Sequence, residues 1–244
     1  MLARSGAIPL ALVCTLAACS GFGNDRADRQ SAADLAAASA DPAWGCLEAQ
    51  PGHPTAAEQT AFVEEVASLA TQAEERHGVP AAAITAMAIL ESGYGWSRLA
   101  QNTDNLMGWK YFPDAPAGGR DSWVLECPEL GISERFVVFR DRADAIDFVA
   151  DQLATTDNYR ADTERYRRDR ASGVEVEEAV NRWVDGIADP YSTQPENFRT
   201  AVRRVMNETY DIGDQPSAEH NLYSLSESVA PARAEAAAAA AALG

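Results

Sequence analysis

The chain has 244 residues, of which 37 are acidic and 20 basic, for a net charge of −17. This length fits one domain of ordinary size with short extensions. The excess of negative charge argues against nucleic acid as a partner and against electrostatic docking to anionic lipid. Three scattered histidines, His53, His77 and His220, indicate no metal cluster.

Residues 1–18 are typical of a secretion signal. Arg4 supplies the positive charge, and the apolar run at 7–16 is too short to span a membrane. The run Leu16–Cys19 (LAAC) resembles the lipobox of bacterial lipoproteins, which implies cleavage before Cys19 and acylation of that cysteine. We therefore predict an envelope protein anchored to a membrane by lipid, and Ser20 favours the periplasmic face of the outer membrane. An ordinary signal peptide with a chance cysteine is the alternative.

The segment 19–54 is rich in Ala, Asp, Gly and Pro and lacks periodicity, so we predict a flexible tether. Beyond the signal and Cys19, only Cys46 and Cys127 carry thiols. Two leftover cysteines in an exported protein most simply pair. The sequence therefore predicts a Cys46–Cys127 disulfide.

Two helices lead to a glycine-rich loop. The capping-box pattern Thr55–Glu58 opens the first, which ends at Gly78. The second begins at Pro80 and has one polar side chain before its last turn, a pattern typical of a buried helix. Glu91 follows at its C-terminal end, because Gly93 stops the helix. Burial and the helix dipole both raise the pKa of such a carboxyl, which is what a general acid needs.

The segment 121–139 predicts a β-hairpin, with strands at 123–125 and 136–139 around a turn-rich centre. Three amphipathic segments then predict helices, which begin at Asp141, Glu175 and Pro195. The last of these ends near Gly213. Residues 214–244 are polar and then alanine-rich, so we predict a disordered tail.

The residues around Glu91 form a recognisable motif. The runs Glu91–Ser97 (ESGYGWS) and Asp104–Lys110 (DNLMGWK) resemble the signature of glycoside hydrolase family 73, the peptidoglycan β-N-acetylglucosaminidases. That signature reads E-S-[GA]-[WY]-G-x-S and then N-N-L-F-G-x-K, so Asp104 and Met107 depart from it. The resemblance covers roughly residues 55–213. It implies a mainly α (α+β), lysozyme-like domain with a small β-hairpin lobe.

The resemblance also implies an activity: hydrolysis of N-acetylglucosaminyl linkages in peptidoglycan glycan strands by two carboxyl groups. Glu91 is the predicted acid. In the family a glutamate of the β segment is the second group, and Glu126 fits best because it follows a strand. Glu134 is the next candidate, and Asp121 and Glu129 are the others in the hairpin.

A saccharide cleft needs aromatic faces for sugar rings and amides for N-acetyl groups. The predicted sugar contacts are Tyr94, Trp96, Asn105 and Trp109. The family often carries a tyrosine in a late G-Y-A-T-D-P segment, which here reads G-I-A-D-P-Y at 186–191. Ile187 lacks the phenol, so Tyr191 or Tyr159 would have to replace it.

Two alternatives remain open. A lytic transglycosylase also relies on one glutamate but forms an anhydro-sugar; that family shows G-L-M-Q, where this chain has Asn105–Gly108, which favours the hydrolase. A non-catalytic lipoprotein that binds glycan and recruits other enzymes is the second, and the missing phenol at Ile187 keeps it open. We expect a monomer with no metal or organic cofactor.

Overall fold

A computed structural model describes residues 44–114, 117–208, 210 and 220–227. The predicted signal peptide, Cys19 and most of the predicted tether and tail lie outside the described residues. Seven α-helices and one hairpin have defined bounds in the described part. They are α1 Ala56–His77, α2 Ala81–Ser92, α3 Arg98–Thr103, β1 Ser122–Cys127, β2 Ile132–Val137, α4 Arg142–Thr155, α5 Asp157–Ala171, α6 Val176–Tyr191 and α7 Pro195–Met206. This architecture confirms the predicted mainly α (α+β) domain with a small hairpin lobe.

Helix α2 is the centre of the helical lobe. Every residue from Ala81 to Ile89 is buried, and helices α1, α6 and α7 pack around it. Because α2 has no polar face, it is stable only when other helices cover it on all sides. Gly93 ends it in the left-handed conformation, with φ of 56°. Helix α2 thus runs from the core to the edge of the helical lobe, and Glu91 lies in its last turn at that edge.

The other helices match the predictions to different degrees. Helix α1 begins with the predicted capping box at Thr55. Helix α7 begins at Pro195 as predicted but ends at Met206, before its predicted end near Gly213. Helix α6 runs to Tyr191, beyond its predicted end at Val184. Helix α5 was not predicted, because it buries only three side chains in an otherwise polar segment: Tyr159, Thr163 and Tyr166. Packing against α4 and α6 holds this helix in place.

The hairpin lobe has its own small core. Strands β1 and β2 are antiparallel, with Glu126 opposite Ser133 and Leu125 opposite Glu134. One face of the hairpin covers a second apolar cluster of Cys46, Leu99, Leu125, Cys127 and Phe136. Residues 109–111 extend the other edge of β2 through Val137 N–H donating to the Trp109 carbonyl at 3.0 Å and Tyr111 N–H donating to the Arg135 carbonyl at 2.9 Å.

Both ends of the packed region differ from the predicted boundaries of 55 and 213. Cys46 is buried and bonded to Cys127, which confirms the predicted disulfide. At the other end Leu222, Tyr223 and Ser226 are buried against the helical lobe. A few buried anchors in otherwise polar segments give no periodicity, which is why the sequence patterns missed them. Among the described helices, none combines the length and the apolar character needed to cross a membrane.

Candidate active site

The chain turns sharply after Glu91. Gly93, Tyr94 and Gly95 all have left-handed backbone conformations, with φ of 56°, 57° and 79°. The Ser92 hydroxyl stabilises this turn, since it donates to the Ala88 carbonyl at 2.6 Å and accepts from Gly95 N–H at 2.7 Å. A left-handed tyrosine is strained by about 1–3 kcal/mol, so the surrounding structure holds it there. The Glu91 carboxyl is therefore attached to a rigid turn.

The Glu91 carboxyl is half-buried, and its surroundings in the described part of the chain are unusual. Within the described residues no hydrogen bond or ion pair involves it, and burial raises its pKa to about 8. Gly108 borders it, because a Cβ added at Gly108 would stand 3.9 Å from Glu91 Oε2. A carboxyl in this setting stays protonated at neutral pH and is free to give its proton to a bound molecule.

The loop beside Glu91 is held by Asn105. Its side-chain amide donates to the carbonyls of Trp109 at 2.9 Å and Val137 at 3.0 Å, and its oxygen accepts from Trp109 N–H at 2.8 Å. Both ends of this buried side chain are thus occupied by backbone. In this geometry Asn105 joins the Gly108 loop to β2, and both of its amide hydrogens are used by backbone, so it has none to donate to the N-acetyl group predicted as its contact.

A phenol also reaches this loop. Tyr191, the last residue of α6, donates its hydroxyl to the Met107 carbonyl at 3.0 Å. Ile187 is fully buried, and the Tyr159 hydroxyl donates to the Pro190 carbonyl at 3.3 Å inside the helical lobe. Of the two tyrosines proposed to replace the missing phenol, the structure brings Tyr191 to the loop that borders Glu91.

The hairpin presents its candidate carboxylates on opposite faces. Side chains alternate along a strand, and directly paired residues share a face. Glu134 pairs with Leu125 on the face that covers the small core, and it forms a 3.2 Å ion pair with Lys110. Glu126 lies on the other face, where Ser133 donates a hydroxyl to its Oε1 at 2.7 Å.

Trp109 extends this second face toward the helical lobe. Lys110 is bridged to Phe136, so Trp109, one residue earlier, lies on the face of Val137 and Glu126. Its ring meets Phe148 of α4 edge-on, with centroids 6.1 Å apart. The face that carries Glu126 is therefore continuous with the loop that borders Glu91. The other hairpin acids, Asp121 and Glu129, are solvent-exposed.

Tyr94 and Trp96 contact other protein groups. The Trp96 ring stacks on His53 with centroids 4.0 Å apart. Tyr94 meets Phe62 edge-on and forms a hydrogen bond with Tyr210; burial, then the Glu208 carboxylate, raises its pKa. Trp96 thus joins the segment that enters the domain, and Tyr94 joins the segment that follows α7.

Sequence patterns did not indicate which residues support the two carboxyls. Ser92, Gly108 and Ser133 each contact or border Glu91, its turn or Glu126. Of these three residues, Ser133 could have been predicted, because a hairpin that turns before Gly131 pairs Ser133 with Glu126. In the described part of the chain, no three His, Cys, Asp or Glu side chains form a group suited to a metal ion.

The chain is similar to several solved bacterial structures. The catalytic domain of the autolysin Auto from Listeria monocytogenes is 16% identical, with 63% of this chain and 89% of that chain covered and a TM-score of 0.40. A peptidoglycan hydrolase from Sphingomonas sp. A1 is 22% identical (59% and 86% covered, TM-score 0.42). A glycoside hydrolase domain of FlgJ from Salmonella typhimurium is 18% identical (60% and 93% covered, TM-score 0.39).

None of the curated proteins compared with this sequence gives a match. The family model for glucosaminidase, described as mannosyl-glycoprotein endo-beta-N-acetylglucosaminidase, matches residues 67–211. This range contains Glu91, the Gly108 loop, the hairpin with Glu126, and Tyr191. Because the match spans more than half of the chain, the protein belongs to the glucosaminidase family and is a glycoside hydrolase of the endo-β-N-acetylglucosaminidase type.

Proposed function

We propose that this protein hydrolyses N-acetylglucosaminyl linkages in the glycan strands of peptidoglycan. The family supports the reaction type, and the predicted export signal supports a substrate of the cell envelope. One observation carries the proposal: Glu91 has a half-buried carboxyl with a pKa of about 8 and no counter-charge among the described residues. Such a group is a protonated acid at neutral pH, as cleavage of a glycosidic bond requires.

In the proposed mechanism Glu91 and Glu126 act on opposite sides of the linkage. Glu91 donates its proton to the glycosidic oxygen as the bond to the sugar breaks. Glu126 stabilises the cationic sugar or takes a proton from the attacking water. The Ser133 hydroxyl bonds to Glu126 Oε1, which leaves Oε2 for these contacts. Water supplies the hydroxyl group to the new sugar end, and Glu91 is reprotonated from solvent.

We propose that some side chains around the two carboxyls contact the sugar and that others only position the loop and the turn. Trp109 and Tyr191 border the Gly108 loop and are the candidates for sugar contact. Asn105 positions that loop through backbone hydrogen bonds. Tyr94 and Trp96 hold the turn after Glu91 through Tyr210 and His53.

The proposed location is the cell envelope, with the domain attached to a membrane through acylated Cys19. The segment from Cys19 to Ala43, which precedes the described residues, contains 25 residues. Such a segment reaches at most roughly 80–90 Å when fully extended. We propose that this length lets an outer-membrane anchor deliver the domain to the sacculus. Cys19→Ala should move the protein from the membrane fraction to the soluble fraction, and continued sedimentation with membranes would contradict the anchor.

Product analysis tests the reaction itself. Purified sacculi are digested with the Cys19→Ala protein, new ends are reduced, and fragments are identified by mass spectrometry. The proposal predicts reduced N-acetylglucosamine at the new ends. Anhydro-sugar ends would identify a transglycosylase, and reduced N-acetylmuramic acid would place the cut on the other linkage. Glu91→Gln is the inactive reference, and Glu134→Gln is the matched control, since its carboxylate faces the small core.

A further inference from the structure

The segment that enters the domain contacts both lobes. We call residues 44–53 the entry segment. It bonds to the hairpin through the Cys46–Cys127 disulfide. It bonds to the turn after Glu91 through the Ala49–Ser97 bridge and through Gln50 N–H, which donates to the Trp96 carbonyl at 2.9 Å. Cys46 lies outside the range 67–211 that the family model matches, whereas Cys127 lies within it.

The hairpin end of the connection lies directly beside Glu126. Cys127 follows Glu126 in β1 and points to the opposite face, where it is fully buried with Cys46 and Leu125. The Arg98 guanidinium of α3 lies 3.3 Å from Cys46 Sγ. Because a strand rotated about its axis would expose this face, the disulfide also fixes the direction in which Glu126 points.

The other end of the connection lies beside the Glu91 turn. Gly93 approaches the entry segment closely, since a Cβ added there would stand 3.3 Å from the Ala49 Cβ. Gly93 is also tied to Trp96, whose N–H donates to the Gly93 carbonyl at 3.2 Å. The rings of His53, at the end of the entry segment, and Trp96, in the turn after Glu91, are stacked on each other. A single short segment thus joins the supports of both carboxyls.

We propose that the entry segment, closed by the Cys46–Cys127 disulfide, sets the separation between Glu91 and Glu126 and so acts as a positioning element for catalysis. This inference rests on the proposed function of Glu126. The separation of the two carboxyls decides whether water or the carboxylate itself attacks the sugar. A displacement of about 1 Å can lower turnover by as much as about a hundredfold.

The proposal makes turnover sensitive to thiol chemistry. A dithiol reductant converts the Cys46–Cys127 bond to two thiols and is itself oxidised to a disulfide. The reduced protein keeps the apolar cluster around Leu125 but loses the covalent connection to β1. We expect its kcat to fall while its KM for glycan fragments changes little, because the candidate sugar contacts, Trp109 and Tyr191, lie outside β1, the strand that loses its covalent connection.

A double-mutant cycle tests whether the disulfide acts through Glu126. The proteins compared, all in the Cys19→Ala background, are the parent, the paired Cys46→Ser and Cys127→Ser variant, Glu126→Gln, and the combination. We expect the cysteine pair to lower kcat roughly ten- to a hundredfold. The combination should be no slower than Glu126→Gln alone. Effects that multiply, an unchanged kcat in the cysteine variant, or an unchanged kcat in Glu126→Gln would each overturn the proposal.

A second variant guards against simple unfolding. Gln50→Pro removes the N–H that donates to Trp96 and leaves both cysteines in place. It should lower kcat in the parent and have no further effect on Glu126→Gln; a parent-like kcat would also count against the proposal. Two other measurements test the proposed function itself: the products released by the parent protein and the activity of Glu91→Gln.

Discussion

The two ends of helix α2 each lie beside a buried or half-buried glutamate, and the two carboxyls have opposite surroundings. At the N-terminal end Glu74 accepts three hydrogen bonds, from Ala81 N–H at 2.7 Å, the Ser226 hydroxyl at 2.8 Å and the Tyr166 hydroxyl at 2.6 Å. At the C-terminal end Glu91 has no such partner among the described residues. Burial raises the pKa of both carboxyls, but hydrogen bonds oppose this effect at Glu74.

This difference follows from the direction of the helix. The first turn of a helix exposes N–H donors and the positive end of the dipole, which suit a carboxylate. The last turn exposes carbonyls and the negative end, which do not. Glu74 therefore serves as a cap that joins α1, α2, Tyr166 and the C-terminal segment. Glu91 is left with a proton that it can donate, so missing donors, more than burial, distinguish the proposed catalytic acid from the structural glutamate.

The largest expected effect is on turnover in Glu91→Gln. The amide keeps the shape of the side chain but cannot donate a proton to the leaving oxygen. A lost general acid lowers the rate by roughly a hundredfold to ten-thousandfold. The free energy of unfolding should be unchanged or higher, because the buried acid is itself unfavourable at a helix C-terminus. Release of fragments from sacculi and thermal unfolding measure the two effects, and near-parental turnover would remove Glu91 from the mechanism.

Stability should depend on pH through Glu91. Its pKa is about 8 in the folded protein against an ordinary value of 4.5, so the folded state retains a proton that the unfolded state releases. This contribution is fully present below the unfolded pKa and is lost as pH rises to about 8, at up to ~1.4 kcal/mol per pH unit.

Denaturant titrations of the parent and of Glu91→Gln, at several pH values across this window, isolate the contribution. The parent should lose stability relative to the variant as pH rises. Parallel curves for the two proteins would show that the Glu91 carboxyl titrates at its ordinary pKa. Turnover should fall on the alkaline side of about pH 8, because deprotonated Glu91 cannot act as the acid.

At the other end of α2, substitution of Glu74 should affect stability and spare turnover. Glu74→Ala leaves buried donors such as Ala81 N–H unsatisfied, which costs about 1–3 kcal/mol for each such group. Glu74→Gln should cost less, because its oxygen can still accept from Ala81 N–H and its amide can donate to the Tyr166 hydroxyl. Unfolding curves measure the loss, and kcat per folded molecule should stay at the parental value. A fall in kcat comparable to that of Glu91→Gln would erase the contrast between the two glutamates.

The smallest expected effect concerns Tyr191→Phe. Loss of the hydrogen bond to the Met107 carbonyl should lower stability by about 0.5–1.5 kcal/mol. If Tyr191 only holds the loop, kcat should fall about two- to tenfold with KM unchanged. A rise in KM would instead indicate direct contact with the sugar. Tyr159→Phe is the control, because its hydroxyl donates to the Pro190 carbonyl and not to the Met107 carbonyl of the loop.

Local patterns were enough to predict several parts of the molecule. The apolar run of α2 and the glycines after it placed Glu91 at the end of a core helix, and the structure confirms that helix. The capping box at Thr55 and the existence of the hairpin around Gly131 were also confirmed, although the second strand is Ile132–Val137 instead of the predicted 136–139. Each of these features depends on neighbours in sequence, through backbone conformation, capping or periodic burial.

Features that depend on distant partners were not visible in this way. Helix α5 is polar and is held by α4 and α6. The sequence suggests that the Asn105 amide is available to a ligand, but in the structure it donates hydrogen bonds to the backbone carbonyls of Trp109 and Val137. The sequence does not distinguish Glu126 from Glu134 as the second carboxyl. Only the strand register shows that Glu126 lies on the face that continues to the Gly108 loop, whereas Glu134 lies on the opposite face and forms an ion pair with Lys110.

By itself the sequence determined the buried acid, the hairpin and the pairing of two cysteines, since residue type and spacing encode helix ends, strands and leftover thiols. The tertiary structure alone decided what each carboxyl contacts. Glu74 acquires its three donors from Ala81, Tyr166 and Ser226, which are 7, 92 and 152 residues away along the chain. The solvation and hydrogen bonding that set a carboxyl's pKa come from such distant groups, and no local pattern records them.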